Sequence, residues 1–297
     1  MKDYQILLYY KYINIDNPVE LQKSQKELCE KLGLKGRIII ATEGINGTLE
    51  GTKENTEEYV KALLSDSRFG DVHMKRSVGT GSAFPKLSIK VRDEIVSAHL
   101  GENDVNPSKV TGKHLKPEEL HEWYLSGKEF YIVDMRNDYE QKVGHFKDSI
   151  LAPLSNFRDL PKVIPVIESL KNKTILTVCT GGVRCEKASG FLVKNGFTDV
   201  YQLYGGIVSY MEKYPNVDYL GKLYVFDGRI VMGFNLDDPK HTIVGKCDKC
   251  GKPSDNYIDC YNPKCNKPTR HFICCKDCIE SGKAYCSEEC KKESVVI

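Results

Sequence analysis

The stretch that decides the fold is Thr174-Ile175-Leu176-Thr177-Val178-Cys179-Thr180-Gly181-Gly182-Val183-Arg184, an apolar run that ends in a cysteine and two glycines. The run 174–178 is predicted to be a buried strand, and a helix is predicted from about Cys185 to Asn195. Cys179 therefore lies at the carboxyl edge of a sheet, which is where open α/β sheets place their chemistry.

The loop after this strand has the features of a site that activates a thiol. The backbone N–H groups of Thr180, Gly181, Gly182 and Val183 can point inward, and the two glycines permit a tight curl. Arg184 and the start of the following helix add positive potential, so that the pKa of Cys179 falls and its thiolate becomes a nucleophile. A buried structural cysteine is the alternative, but packing alone does not explain a C-x4-R loop before a helix.

Two further questions arise at this loop. Phosphatases with a cysteine nucleophile use a longer C-x5-R loop, and the shorter interval here suits a sulfur atom more than a phosphate. Cys185 follows the loop directly. It is either a second redox thiol that resolves an oxidised Cys179 or a small buried residue of the helix, and both interpretations stay open.

Outward from the loop, strands alternate with helices. Pro117-Glu118-Glu119 begins a helix, and a strand at Phe130–Val133, a helix near Leu160–Leu170 and a strand at Asp199–Leu203 surround the loop. This order predicts an α/β domain with a parallel sheet over residues 115–222.

The first hundred residues follow a different pattern. A strand at Tyr4–Ile13, a helix from Asn17-Pro18 to Gly33 and a strand at Arg37–Thr42 precede a turn rich in asparagine and glycine, Glu43–Gly51, which leads into another strand. A helix (Glu54–Leu64) and short strands near Val72–Arg76 and Leu87–Val91 complete a β-α-β-β-α-β order, which predicts a ferredoxin-like domain over residues 1–100. The polar segment Glu102–Lys113 is predicted to be a linker.

The tail, residues 223–297, is rich in cysteine: nine of the twelve cysteines of the chain lie between Cys247 and Cys290. Eight of them form pairs with the spacing of metal ligands: Cys247-x2-Cys250, Cys260-x4-Cys265, Cys275-x2-Cys278 and Cys286-x3-Cys290. They match two tetrahedral zinc sites, although the spacing does not say which pairs share an ion. His271 and Cys274 are left over, and an iron–sulfur cluster and a disulfide framework are the alternatives.

Composition bounds the class of protein. The chain has 297 residues, of which 40% are hydrophobic and 28% charged, and a formal net charge of +2. These values are typical of a globular protein of two or three domains. With neither a membrane-span pattern nor a signal-peptide pattern, the expected location is the cytoplasm.

The middle of the chain resembles the rhodaneses. Asp134-Met135-Arg136, Glu140 and Gly144-His145 resemble the signature that precedes the active loop, and Leu203-Tyr204-Gly205-Gly206 resembles its closing segment. The resemblance implies that Cys179 carries a persulfide cradled by loop amides. It also implies that Asp134, Arg136 and His145 support the loop or orient substrate, with a structural ion pair and a capped turn as the alternative.

The whole chain resembles the bacterial tRNA uridine(34) hydroxylases. The resemblance rests on Ala41-Thr42-Glu43-Gly44-Ile45-Asn46-Gly47-Thr48, on the loop continuing as Cys185-Glu186-Lys187-Ala188, and on the cysteine tail. It implies oxygen-dependent hydroxylation of the wobble uridine at C5 to 5-hydroxyuridine, with an essential loop cysteine. It further implies an acylphosphatase-like RNA-side domain at the N-terminus and the tRNA anticodon loop as the partner.

A tRNA ligand needs cations for its phosphates and aromatic rings for its unpaired bases. The candidate phosphate contacts are Lys75, Arg76, Lys86, Lys90 and Arg92, and the candidate stacking rings are Phe84, Tyr124, Phe157 and Tyr204. A solvated face and core packing are the alternatives. The Glu43–Thr48 turn is either a β-hairpin or a substrate-facing loop.

The sequence indicates no oxygen-activating cofactor. The seven histidines are scattered, and Gly79-Thr80-Gly81 lacks the third glycine and the context of a dinucleotide motif. We therefore expect no flavin or NAD site, and a reactive Cys179 species is the remaining candidate. Two alternatives to the hydroxylase remain: a sulfurtransferase with a Cys179 persulfide, and a zinc-dependent RNA-binding module without activity.

Overall fold

The computed structural model describes residues 3–265, 270–279 and 283–294, which form two compact units. The first contains the chain up to Asn137 together with Ile150–Tyr210, and the second contains Asp138–Ser149 and the chain from Met211 onward. Within the described ranges, no helix is both long and apolar enough to cross a bilayer.

The first unit begins with the predicted ferredoxin-like domain. Its elements are β1 (Tyr4–Tyr12), α1 (Pro18–Lys31), β2 (Lys35–Ala41), β3 (Gly44–Thr52), α2 (Lys53–Ser65) and β4 (Lys75–Val78). The sheet order is β4-β1-β3-β2, and a further strand, β5 (Leu87–Val91), joins β2 in parallel. Asn17 caps α1 by accepting the N–H of Glu20, and Thr52 caps α2 in the same way.

One face of this sheet packs against the two helices. Leu7, Tyr9 and Leu49 lie in its core with Cys29 of α1 and Tyr59 of α2, all fully buried. Cys29 is therefore a core residue. Since alternate residues of a strand point to opposite faces, Leu8 and Tyr10 of β1 lie on the face away from the helices.

Two details of the prediction for this domain are wrong. The stretch Glu43–Gly51 is mostly the strand β3 and not a turn. Two of its glycines make room for neighbouring side chains instead of turning the chain. A Cβ at Gly47 would lie 2.3 Å from the Tyr9 ring, and one at Gly51 would lie 2.3 Å from Leu34. The strand expected from Val72 begins only at Lys75.

The second sheet of this unit is parallel and carries the cysteine loop. Its order is β6-β11-β10-β7-β9, with strands β6 (Lys113–Leu115), β7 (Tyr131–Asp134), β9 (Ile150–Leu151), β10 (Thr174–Val178) and β11 (Asp199–Leu203). The helices α3 (Pro117–Ser126), α5 (Val163–Ile167), α6 (Val183–Lys194) and α7 (Gly206–Lys213) follow in chain order. This is the predicted α/β domain with its predicted parallel sheet.

Two expectations for this domain are also wrong. Residues 157–170 do not form one helix but two 3-10 turns around the short α5, because Pro161 and Pro165 lack the N–H that a continuous helix requires. The polar segment Glu102–Lys113 is not an extended linker, since Val105 is 1% exposed and packs with Val110 in the core of the parallel-sheet domain.

The second unit is built from short antiparallel pairs. The helix α4 (Asp138–Gln141) precedes β8 (Gly144–Phe146), which pairs with β12 (Tyr219–Gly221). The remaining pairs are β13 (Leu223–Tyr224) with β14 (Val231–Met232) and β15 (Tyr257–Asp259) with β16 (His271–Ile273), and α8 (Glu288–Ser294) follows.

Candidate active site and cysteine clusters

The loop between β10 and α6 curls around the sulfur of Cys179. The N–H of Gly182 donates to the Sγ atom at 3.3 Å, and Gly182 has a φ of 100°, which favours glycine. The N–H of Cys185 donates to the Gly182 carbonyl at 2.9 Å and begins the helix. Arg184 folds back over the loop, and its Nη2 donates to the Thr180 hydroxyl at 3.2 Å.

These contacts stabilise a thiolate. Burial alone would raise the pKa of Cys179, but a hydrogen bond from the Cys185 thiol, the charge of Arg184 and the N–H groups of Cys185 and Gly182 lower it to about 6. Burial and the hydrogen bond to Cys179 raise the pKa of Cys185 well above its ordinary value, so Cys185 keeps its proton. The loop therefore pairs a thiolate at Cys179 with a thiol at Cys185 near neutral pH.

The ferredoxin-like domain covers this loop. A Cβ at Gly181 would lie 2.8 Å from Leu8, and one at Gly182 would lie 2.9 Å from the Tyr10 hydroxyl, so both side chains of β1 rest on the loop backbone. Cys179 is 0% exposed as a result.

The Gly-Gly segment after β11 supports the loop from another side. The N–H of Ile207 donates to the Cys179 carbonyl at 2.9 Å. A Cβ at Gly206 would lie 2.6 Å from the backbone nitrogen of Gly182, so this position has no room for a side chain.

Beside the loop, Glu186 is the centre of a buried hydrogen-bond network. One carboxylate oxygen accepts from the Tyr10 hydroxyl at 3.1 Å and contacts His114 Nε2 at 2.9 Å. The other accepts from Thr111 at 2.9 Å and from Gln202 at 2.8 Å. The hydrogen bond to Glu186 raises the pKa of His114, and that pair joins α6 to β6.

A cavity of about 220 Å³ opens next to this network. Tyr204, 40% exposed, stacks on His73 with 4.9 Å between ring centroids and an interplanar angle of 2°. The other residues that line the cavity are Tyr10, Lys11, Tyr12, Asp71, Val72, Pro107, Ser108, Thr111, His114 and Glu186. Aromatic rings and a few fixed polar groups are the lining expected of a small-molecule or nucleobase site.

The two motifs that carry the family resemblance meet through Lys187. Its fully buried ammonium lies 3.0 Å from the Glu43 carboxylate and 3.1 Å from Asp104. The other Glu43 oxygen accepts the N–H of Ile95 at 2.8 Å. Glu43 therefore joins its own domain to α6.

The remaining predicted support residues belong to different units of the structure. Asp134 and Arg136 form a fully buried bidentate ion pair, with Nε–Oδ1 at 2.9 Å and Nη2–Oδ2 at 2.6 Å. His145 belongs to the second unit, where β8 pairs with β12 and its Nδ1 lies 3.3 Å from the Gln141 carbonyl.

Part of the predicted tRNA surface is wrong. Lys75 is only 7% exposed, and Phe84 and Phe157 are 2% and 7% exposed, so these three residues are buried and cannot contact tRNA from the surface. Arg76 is exposed but is held by Glu57 at 2.7 Å. Lys86, Lys90 and Arg92 are exposed, and Tyr124 is half-buried beside Phe130.

The tail brings its eight paired cysteines into two clusters. Cys247, Cys250, Cys275 and Cys278 form one, and Cys260, Cys265, Cys286 and Cys290 form the other. Within each, the ligand atoms lie within 4.8 Å of one another, and the closest sulfur pairs are 3.5 to 3.7 Å apart. All twelve cysteines lie among the described residues and none of them forms a disulfide, which counts against the disulfide alternative. His271 and Cys274 belong to neither cluster.

Sequence reasoning missed several residues of the site. Leu8, Tyr10 and His114 come from distant strands and carry no local motif. Glu186 could have been found, because it directly follows Arg184-Cys185 in the loop motif.

The fold and the loop define a protein of the rhodanese class with added domains. Residues 4–95 match the family model of the UPF0176 acylphosphatase like domain, residues 116–213 that of the Rhodanese-like domain, and residues 220–291 that of the Rhodanase C-terminal region. A solved Rhodanese-like domain from Anabaena aligns with 37% of this chain and 80% of its own, at 19% identity and a TM-score of 0.32.

Full-length relatives narrow the class to one family. The "tRNA uridine(34) hydroxylase" of Cytophaga hutchinsonii is 45% identical over 98% of this chain and 91% of its own length. The protein of the same name from Bacillus licheniformis is 45% identical over 97% and 88%. This chain belongs to the tRNA uridine(34) hydroxylase family.

Proposed function

We propose that this protein hydroxylates C5 of the wobble uridine of tRNA to give 5-hydroxyuridine, with dioxygen as co-substrate and Cys179 as the essential residue. Membership of the hydroxylase family over nearly the whole chain carries the proposal. We assign RNA binding to residues 1–100, catalysis to residues 115–222 and metal binding to residues 223–297. A tRNA substrate also favours a cytoplasmic location.

We place the target base in the cavity beside the loop. An unpaired base in an anticodon loop can leave its neighbours and stack on an aromatic ring, and Tyr204 offers such a ring at the cavity wall. Exposed cations of the RNA-side domain, among them Lys86 and Arg92, are available to contact the phosphates.

A base in this cavity does not touch the buried sulfur. Leu8 and Tyr10 lie on the loop, and Cys179 has no exposed surface. A uracil ring therefore reaches the thiolate only after these two side chains move away from Gly181 and Gly182, whereas dioxygen is small enough to need less movement.

The two cysteine clusters fit structural zinc. A tetrahedral ion with zinc–sulfur bonds of about 2.3 Å holds its sulfurs about 3.8 Å apart. The closest sulfur pairs of the clusters, at 3.5 to 3.7 Å, are near this separation. Four thiolates leave no open position for a substrate, so zinc here would fold the tail rather than take part in the reaction.

Mass spectrometry of tRNA nucleosides tests the function. Cells that lack the protein are complemented with the wild type, with Cys179→Ala or with Cys29→Ala, which removes a buried cysteine far from the loop in sequence. We expect 5-hydroxyuridine derivatives to return with the wild type and Cys29→Ala but not with Cys179→Ala, at equal protein levels. If no variant alters these nucleosides, the hydroxylase proposal fails, and transfer of sulfur from a Cys179 persulfide is the function to test next.

A further inference from the structure

Lys75 lies on the face of the N-terminal sheet that covers the cysteine loop. It is the direct partner of Leu8 in the antiparallel pairing of β4 with β1. Residues paired in this way share one face of a sheet, and Tyr10, two residues further along, lies on the same face. Leu8 and Tyr10 both rest on the loop glycines.

Lys75 is buried, and its surroundings supply little negative charge. The residue is 7% exposed, and its Nζ lies 5.0 Å from the centroid of the Tyr10 ring. Within the described part of the chain, no ion pair joins Lys75 to a carboxylate. A buried ammonium is costly unless an opposite charge compensates it, so the compensating anion has to be sought nearby.

Two anions act on this ammonium. Burial lowers the pKa of Lys75 to about 8, while the charges of Cys179 and then Glu186 act in the opposite direction. Glu186 is already the acceptor of four hydrogen bonds from Tyr10, His114, Thr111 and Gln202. The Cys179 thiolate is therefore the better partner.

We propose that Lys75 is a positioning residue of the reaction, whose ammonium holds the negative charge on the Cys179 sulfur while the ferredoxin-like domain covers the loop. The charge pair forms between these two side chains whatever reaction the protein catalyses. Only its importance for turnover rests on the proposed function. Because the ammonium and the sulfur come from different domains, the pair also favours the arrangement in which Leu8 lies on Gly181.

Other groups also influence the pKa of Cys179. The Cys185 thiol, the charge of Arg184 and the N–H groups of Cys185 and Gly182 lower its pKa most. Tyr10 of β1 rests on the loop and donates to Glu186 of α6 beside it. Removal of Lys75 alone should therefore weaken the thiolate without abolishing it.

The test is a pH titration of the Cys179 thiolate by its ultraviolet absorbance. Lys75→Met keeps the length of the side chain without its charge, Lys75→Arg keeps the charge, and Lys86→Met removes an exposed lysine of the same domain as the control. Each is measured against the same protein carrying Cys179→Ser. Loss of a nearby opposite charge raises the pKa of a thiol, so we expect an upward shift of the Cys179 titration, by up to about 1 unit, in Lys75→Met only. A titration of Lys75→Met that matches the wild type overturns the proposal.

A reciprocal measurement leaves Lys75 in place. In protein with isotope-labelled lysine, NMR follows the titration of Lys75 in the wild type and in Cys179→Ser. Loss of the thiolate should lower the pKa of Lys75, and identical titrations would overturn the proposal even if Lys75→Met failed to fold. Neither measurement uses tRNA, so failure of the hydroxylase function would leave these results standing. In turnover assays, Lys75→Met should shift the pH profile to higher pH, and Lys75→Arg should not.

Discussion

Replacing Gly206 by alanine tests how tightly the Gly-Gly segment holds the cysteine loop. Gly206 has a φ of 73°, and its added Cβ would lie 2.6 Å from the nitrogen of Gly182 and 2.7 Å from the carbonyl carbon of Gly181. Both are backbone atoms, which cannot rotate out of the way. Gly196 is the matched control, because its φ is 85° but nothing lies within 4 Å of its added Cβ.

Both substitutions force alanine into a left-handed conformation, but only Gly206→Ala also creates a steric overlap. A left-handed conformation costs alanine about 1–2 kcal/mol, and Gly196→Ala should lose only this amount. Gly206→Ala adds the cost of overpacking, about 1–3 kcal/mol, so we expect a total loss of about 2–5 kcal/mol. A shift of the loop backbone should also move the Gly182 N–H away from the Cys179 sulfur, where it now donates at 3.3 Å, and so raise the pKa of Cys179.

Urea unfolding measures the loss of stability, and the titration of the Cys179 thiolate measures the rise in its pKa. The midpoint should fall further for Gly206→Ala than for Gly196→Ala, with similar slopes. Equal losses of stability, together with an unchanged titration of Cys179, would refute the idea that the Gly-Gly segment shapes the loop.

Three further predictions follow from the contacts of the site and the tail. Cys247→Ser should reduce the zinc bound per chain from two ions to one in native mass spectrometry, whereas Cys274→Ser should keep both; equal losses would contradict the grouping of the ligands. The pKa of His114 is raised by its hydrogen bond to a carboxylate, so its stabilising effect should be complete below about pH 6.5 and vanish as the pH rises through the raised pKa. Urea midpoints of His114→Gln and wild type should therefore converge at high pH, and a constant difference would count against this assignment. Leu8→Ala should speed alkylation of Cys179 by iodoacetamide, as followed by peptide mass, and an unchanged rate would mean that Leu8 does not limit access.

The sequence predicted those elements that are marked by local patterns. The strands at 174–178 and 199–203 have the predicted bounds, because each is a short apolar run bordered by turn residues. The glycines of β3 misled the prediction, since a glycine that turns the chain and a glycine that makes room for Tyr9 or Leu34 look alike in a sequence. Only the packing of the sheet distinguishes them.

The residues of the site also divide into those that a local pattern predicts and those that it does not. The thiol and its Arg184 belong to one motif of six residues and could be predicted from it. Leu8 and Tyr10 could not, because they reach the loop only through the docking of a domain more than a hundred residues away in sequence. The partners of the tail cysteines were equally hidden, since each cluster takes two pairs that are not adjacent in the sequence.

The two loop glycines have different structural causes, one in the loop itself and one in the docking of another domain. Gly182 has a φ of 100°, so the curl of the loop itself requires a glycine there. Gly181 has no such φ, and the loop backbone alone would accept alanine. An alanine at Gly181 would instead meet Leu8, whose Cδ2 is 2.8 Å from the added Cβ, so Leu8 would have to move. Gly181 therefore reflects the docking of the ferredoxin-like domain, whose strand β4 places Lys75 beside Leu8 on the same face.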